Sequence, residues 1–370
     1  FFKQKTAYEI PKRDWSSDVC SSDLHPGFMT PDLGAIRHAA RLLEAGQLVA
    51  FPTETVYGLG ADASNPDAVA AIFAAKGRPS DHPVIVHVAL AADLTQWVSH
   101  LPAEAIQLAT VFWPGPLTMI LPRAASVAAA VSGGQASIGL RCPSHPVARL
   151  LLAEFRAGQG GIAAPSANRF GHVSPTTAQH VIDEFGLPGE GALAAVLDGG
   201  QSEVGIESTI IDLTRLDTVG PVLLRPGQIS AARLAEVLGR LPASPDTAAP
   251  RVSGSLEAHY APRTPVALVG TRELGRLLHQ LDEAEHSYAL MHHADERVSG
   301  ACMIAAKLMP SQADAYAHQL YAGLREMDAA KARLIIVECP PVEEAWQGIN
   351  DRLRRAAFDS AGVLQRLLAN

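Results

Sequence analysis

Five prolines, Pro242, Pro245, Pro250, Pro262 and Pro265, fall between Arg240 and Pro265, in a stretch otherwise biased toward Ser, Ala and Gly. Proline fixes φ and removes a backbone donor, so such a stretch supports neither a central strand nor a helix interior. The chain is therefore expected to fold as two bodies, 30–239 and 266–370, joined by a linker over 240–265. At 370 residues it is long enough for each body to bury its own core.

In the first body Ile36, Leu42 and Leu43 recur at helical spacing and Gly46 stops the run. Leu48–Phe51 reads as a short buried strand ending at Pro52. Asn65 as cap, Pro66 at the first helical position and Asp67 in the first turn predict a helix to about Lys76. Val84–Val88, Leu117–Leu121, Ser137–Leu140, Ala195–Asp198, Thr209–Leu213 and Val222–Arg225 read as further strands. Helices are expected near Pro146–Phe155, near Pro175–Phe185 behind a Ser174 cap, and near Ala231–Leu238 behind Ser230. The alternation predicts an α/β fold with a twisted mixed sheet. In the second body, strands at Val266–Val269, Tyr288–Met291 and Leu334–Glu338 alternate with helices near Arg272–Leu281, Ala313–Arg325 and Glu343–Phe358. That pattern predicts a smaller Rossmann-like α/β domain.

Phe1 to Leu24 lacks helix or strand periodicity and the apolar core of a signal peptide. Residues 1–28 are expected to be a non-native or disordered leader resembling a translated sequencing adapter, with Met29 the true start. Hydrophobic residues make up 48% and charged residues 18% of the chain, as in an ordinary globular protein. No apolar run is long enough to cross a bilayer, so no membrane role is expected. The net charge of -8 argues against a basic surface for holding nucleic acid, though it leaves room for a locally basic pocket. Cys20, Cys142, Cys302 and Cys339 form no CxxC pair, which fits reduced thiols in a cytoplasmic protein.

Six segments could carry chemistry. Pro52-Thr53-Glu54-Thr55-Val56-Tyr57-Gly58-Leu59-Gly60 follows a strand and reads as a strand-to-helix loop, with glycines that let backbone approach a ligand. Its glycines only superficially match a dinucleotide fingerprint, because the helix opens later, at Asn65. Lys76-Gly77-Arg78 ends a helix and is followed by Pro79 and Pro83, so its two cations could converge on an anion such as a triphosphate. A solvated helix end is the bland alternative, and no Walker-type phosphate loop is present. Ala164-Pro165-Ser166-Ala167-Asn168 offers short polar groups for phosphate oxygens. In Ser137–Pro143, Arg141 ends an apolar strand and needs an anionic partner if buried. Gly205–Asp212 and Leu224–Gly227 are the last two. His87 lies inside an apolar strand and by default is a core histidine. The His292-His293 pair reads as part of a loop without ligand spacing, so no metal site built from protein side chains is expected.

Taken together and in order, these segments resemble the threonylcarbamoyl-AMP synthase family with its YrdC-like fold. A KxR motif (Lys76, Arg78) precedes an SxN motif (Ser166, Asn168), and PTETVYGLG, WPGPLT, RCPSHP, STIID and LRPG also match. His259-Tyr260-Ala261-Pro262 looks like the linker of the family's longer, two-domain form. His82, where the family often has Asn or Lys, and Ser137, where Thr is common, depart from the pattern.

The resemblance implies a nucleotidyltransferase that condenses L-threonine with bicarbonate and ATP, releasing pyrophosphate, for N6-threonylcarbamoyladenosine modification of tRNA. It implies that Lys76, Arg78, Ser166 and Asn168 are catalytic and that Thr55, His87, Arg141, Ala164 and Ser208 surround threonine. The nucleotide would be met by the same four catalytic residues with Ser137, Ser174, Arg225 and Tyr260, the last closing from the linker. Mg²⁺ would arrive on the ATP phosphates, held mainly by their oxygens and water. A threonylcarbamoyl transferase would act downstream, with a tRNA or double-stranded RNA contact compatible with the fold. A hydrogenase-maturation carbamoyl-adenylate enzyme shares the fold but carries CxxC zinc fingers, which this sequence lacks. A double-stranded RNA-binding module is a second rival, disfavoured by the acidic balance.

Overall fold

The computed structural model of the chain describes residues 31–254, 258–293 and 298–368. The leader, Met29 and Cys20 lie outside the described residues. Among the described residues, nine strands make one mixed sheet: β1 (Leu48–Phe51), β2 (Gly58–Asp62), β3 (Ile85–Val88), β4 (Leu117–Pro122), β5 (Ser137–Arg141), β6 (Gly161–Ala163), β7 (Leu193–Val196), β8 (Thr209–Asp212) and β9 (Val222–Arg225). They run in the order β7-β1-β2-β6-β3-β5-β4-β8-β9. Strand periodicity sorts the side chains of β1. Val49 and Phe51 pack with Ile36, Leu43 and Leu151 on one face, and Leu48 and Ala50 join Leu59, Ile72 and Met119 on the other.

Local sequence explains the helices that matter here. The Leu33–Glu44 helix is capped by Asp32 and buries Ile36, Ala39, Ala40 and Leu43. The Pro66–Lys76 helix starts where Asn65 Oδ1 accepts from the N–H groups of Asp67 and Ala68, and it stops at Gly77, whose φ of 62° suits glycine. The helix expected behind Ser174 begins later, at Ala178, with Thr177 as its cap. Ser174 is drawn away by a stronger partner, a buried carboxylate described below.

Segment Gly58–Gly60 is not a strand-to-helix loop. It is the start of β2, paired antiparallel with β1 so that Val49 faces Gly60 and Phe51 faces Gly58. A Cβ at Gly60 would lie 2.8 Å from the Phe51 ring and 3.0 Å from both Ile162 and the Val49 carbonyl oxygen. These glycines therefore admit the Phe51 ring between strands. The loop is shortened to 52–57. Strand β6 and a helix at Ala103–Phe112 were not read from the sequence, and β7 starts two residues earlier than expected.

The second sheet has β10 (Val266–Val269), β11 (Tyr288–His292), β12 (Met303–Leu308) and β13 (Leu334–Glu338) in the order β10-β13-β11-β12, all parallel. The edge strand β12 escaped sequence reading because it alternates half-buried and exposed residues. His292 closes β11 and does not sit in a loop. The Glu343–Phe358 helix resolves into a short turn at Glu344–Trp346 and a helix at Gln347–Ala356. One apolar cluster joins Val56, Val173, Ile206 and Tyr260 to Tyr316, Leu320, Tyr321, Trp346 and Leu353. The helices over the second sheet thus share a core with loops of the first.

Gly60→Ala is expected to destabilise the chain by about 1–3 kcal/mol through overpacking against Phe51, read as a lower urea midpoint. An unchanged midpoint would contradict the β1–β2 register.

Candidate active site

The turn after β1 is set by Thr53, whose hydroxyl accepts from the Thr55 and Val56 N–H groups and donates to the Val56 carbonyl at 2.6 Å. It aims Thr55 at a cavity of about 480 Å³, counted with its mouth. His87 from β3, Arg141 at the end of β5, Ala164 and Ser166 after β6, Ser208 before β8 and Arg225 at the end of β9 line the same cavity, with Tyr260 from the linker.

Arg141 and Glu54 form an ion pair at 2.7 Å, with side chains only 5% and 3% exposed. Arg141 also donates to the Thr55 hydroxyl at 2.8 Å and to the Gly115 carbonyl at 3.4 Å. Glu54 in turn accepts from the Ser144 N–H. The anion that a buried arginine demands is therefore supplied by the chain itself, from a residue in the PTETVYGLG segment that had not been singled out. A guanidinium carries five N–H donors, so three protein contacts leave others to meet a ligand in the cavity.

The KxR and SxN segments meet in space. Lys76 Nζ donates to the backbone carbonyls of Ser166, at 2.6 Å, and Asn168. Burial, reinforced by the nearby Arg78 charge, lowers the Lys76 ammonium well below the ordinary lysine value. Arg78 is buried too, which pushes it down to about 10, and its guanidinium donates to the Pro83 carbonyl. Lys76, Arg78 and Asn168 do not line the cavity itself. Lys76 and Asn168 are bonded to the backbone of Ser166, which does.

Arg225 donates to the Ser208 carbonyl and hydroxyl and to the Ser253 carbonyl, which lies in the linker. Ser208 also shares a hydrogen bond with Thr118 at 2.8 Å. Ser137 lines a smaller neighbouring cavity that shares Ile85 and Ser253 with the first. Ser174 faces neither; its hydroxyl donates to Glu207 at 2.5 Å. Tyr260 is buried with a φ of 60°. Its ring joins an aromatic row through His259 (4.2 Å between centroids), Phe170 (6.0 Å) and His82 (5.6 Å), which gives the atypical His82 a packing role.

Buried polar atoms without protein partners are uncommon. Here His87 Nδ1, Arg78 Nε, Asn168 Oδ1 and the Tyr260 hydroxyl are all in that state and gather in or around the cavity. A polar ligand or water would satisfy them. His87 lines the cavity with Nδ1 unpaired. Among the described residues no group of three or more His, Cys, Asp or Glu could hold a metal ion. Glu207 in the cavity wall and Glu54 behind Arg141 are each engaged by an arginine.

Burial, with Arg141 nearby, lowers His87 from 6.5 to about 3. Between those values the unfolded chain binds a proton that the folded chain excludes. Stability is thus intact above pH 6.5 and falls as pH drops through the window, at about 1.4 kcal/mol per pH unit. His87→Gln is expected to lose about 2 kcal/mol less than the unaltered chain between pH 7 and pH 5, by urea unfolding. Equal pH slopes would contradict the burial of a neutral imidazole.

Comparison with known proteins bears on the whole chain. Residues 41–227 match the sequence family Sua5/YciO/YrdC, described as Telomere recombination, and residues 229–358 match the one described as Threonylcarbamoyl-AMP synthase, C-terminal domain. A threonylcarbamoyl-AMP synthase of Pyrococcus abyssi is 37% identical over 341 residues, covering 87% of this chain and 94% of the relative. That of Bacillus subtilis is 38% identical over 332 residues, covering 87% and 92%. The crystal structure of P. abyssi Sua5 complexed with L-threonine is similar with a TM-score of 0.81 at 34% identity, covering 90% of this chain and 96% of that one. The chain belongs to the threonylcarbamoyl-AMP synthase family, in the form that carries the C-terminal domain.

Proposed function

We propose that the chain makes L-threonylcarbamoyladenylate and pyrophosphate from L-threonine, bicarbonate and ATP, in the cavity of the first sheet. The observation that carries this reading is the junction of Lys76 with Ser166 and Asn168 beside a cavity that also holds Arg141 and His87. One side of that cavity is cationic and suits phosphates; the other offers a forked donor, a hydroxyl and a neutral imidazole of amino-acid scale.

In this reading the threonine amine attacks the carbon of bicarbonate and water leaves, giving a carbamate. A carbamate oxygen then attacks the α-phosphorus of ATP, forming the mixed anhydride as pyrophosphate departs. No covalent enzyme intermediate is needed. The chain contributes position and charge neutralisation, in a site where reorganisation has been completed by folding. Arg141 takes the threonine carboxylate with its remaining donors, held in place by Glu54. Thr55, His87, Ala164 and Ser208 surround the amino acid; the neutral His87 can accept a hydrogen bond from the amine, whose proton leaves with the departing water. Ser166 and Arg225 meet the phosphates, Lys76 and Arg78 lend positive charge from behind, Asn168 holds Lys76 through its carbonyl, Ser137 borders the nucleoside, and Tyr260 closes the mouth. Ser174 acts at one remove, through Glu207. A triphosphate would restore full charge to Lys76, since an anion offsets the desolvation that depresses it.

Mg²⁺ enters as part of the nucleotide substrate. With Glu54 and Glu207 both committed to arginines, its ligands are phosphate oxygens and water. The adenylate product is an activated acyl donor, passed to a transferase that acts on tRNA.

Pyrophosphate release from ATP is expected only when threonine and bicarbonate are both present; release without threonine, or none with all three, would contradict the reading. Arg141→Ala is expected to weaken threonine binding at least tenfold in isothermal titration while ATP still binds, because a charged forked contact contributes roughly 1.5–3 kcal/mol. Unchanged threonine affinity would remove Arg141 from the substrate site.

A further inference from the structure

Glu207 lines the cavity wall among the groups proposed to meet phosphates, which is an unfavourable place for a carboxylate. Arg225 and Lys76 are both close enough to feel its charge. Left unpaired, Glu207 would repel a triphosphate and would itself be costly to bury. Its partners come from far along the chain. Arg352 Nε meets Glu207 Oε2 at 2.9 Å across 145 positions, and the Tyr321 hydroxyl donates to the same oxygen at 2.8 Å. Ser174 donates to the other oxygen.

Arg352 does more than pair one charge. It donates to the backbone carbonyls of Glu207 at 3.0 Å and Pro226 at 2.5 Å, which flank the cavity residues Ser208 and Arg225. Its guanidinium carbon lies 5.7 Å from the centre of the Tyr260 ring, with the Tyr321 ring also 5.7 Å from Tyr260. Its side chain is fully buried. Burial opposes its charge, but Glu207 and the surrounding tyrosines and Asp351 more than offset that and raise its pKa. One side chain of the Gln347–Ala356 helix thus touches the wall carboxylate, the wall backbone and the closing ring.

We infer that Arg352 is a positioning residue for the reaction: it neutralises Glu207 so that the cavity wall accepts a triphosphate, and it backs Tyr260 from behind. The C-terminal domain thereby completes the nucleotide side of a site whose substrate contacts all lie outside it. This inference rests on the proposed reaction. Tyr321 assists through the same carboxylate, and the Arg141–Glu54 pair proposed to hold the threonine carboxylate takes its bonds from Thr55, Gly115 and Ser144 and from neither of them.

The test uses the full chain. Arg352→Met is expected to raise the KM for ATP at least tenfold and the KM for threonine less than threefold. Adding Glu207→Gln in the same chain removes the uncompensated charge and is expected to recover at least half of the lost ATP affinity on a logarithmic scale. A merely structural role would weaken both substrates together and would not be rescued by the second change. Unchanged ATP affinity in Arg352→Met, or a folded double variant without recovery, would overturn the inference. Should Arg352→Met not fold, Arg352→Lys keeps the charge but loses the fork. A threefold or greater rise in the ATP KM alone then supports the role, and no change overturns it. An unaltered chain that releases no pyrophosphate contradicts the reaction itself, whereas an active chain indifferent to Arg352 contradicts only this inference.

Discussion

The site depends on a buried ammonium. Lys76 stands at the end of the Pro66–Lys76 helix, beneath Ser166 and Asn168, and spends its hydrogen bonds on their backbone carbonyls. Two carbonyls do not fully replace water around a lysine, and Glu184 and Glu207 offset only part of that loss, which is why burial depresses it so far. The same arrangement fixes the turn after β6 against the helix and leaves Asn168 Oδ1 and Arg78 Nε without protein partners. The fold here tolerates a cationic region that is incompletely compensated, and an anionic ligand is the simplest compensation.

Elsewhere around the cavity the opposite rule holds. Arg141 has Glu54, and Arg352 has Glu207 with Asp351. Buried pairs of this kind add little net stability, but removing one member leaves a charge that costs about 3–5 kcal/mol. Their value is directional. Each pair holds a guanidinium or a carboxylate at one orientation in the wall, on a sheet whose strand ends deliver Thr55, His87, Arg141, Ser208 and Arg225 to one place. The wall is thus held in one arrangement by the chain itself, with fixed dipoles and charges facing the cavity.

Features governed by near neighbours were legible in the sequence. The Asn65-Pro66 helix start, the Gly77 stop and most strands follow from residues within a few positions. The KxR, SxN and Arg141 segments were recognisable as motifs, and eight of the expected residues do line one cavity. What escaped was governed by distant contacts. Strand β2 was hidden because its glycines, read as loop residues, make room for Phe51. Strand β12 was hidden by its exposed edge position. Ser174 looked like a cap because nothing local announces Glu207 as its partner, and Arg352 carried no signal at all, since its role is set 145 residues away. Glu54 was in plain sight inside a motif; the demand of buried Arg141 for an anion was the clue, but the partner was sought in the substrate.

The central claim is spatial: a triphosphate and an amino acid occupy one cavity of the first sheet. A crystal structure with L-threonine and a non-hydrolysable ATP analogue tests it most directly. The account predicts the analogue's phosphates within hydrogen-bonding reach of Ser166 and Arg225, on the side of the cavity backed by Lys76, and the threonine carboxylate on Arg141 beside Thr55. Phosphates bound elsewhere on the chain, or threonine away from Arg141, would contradict it.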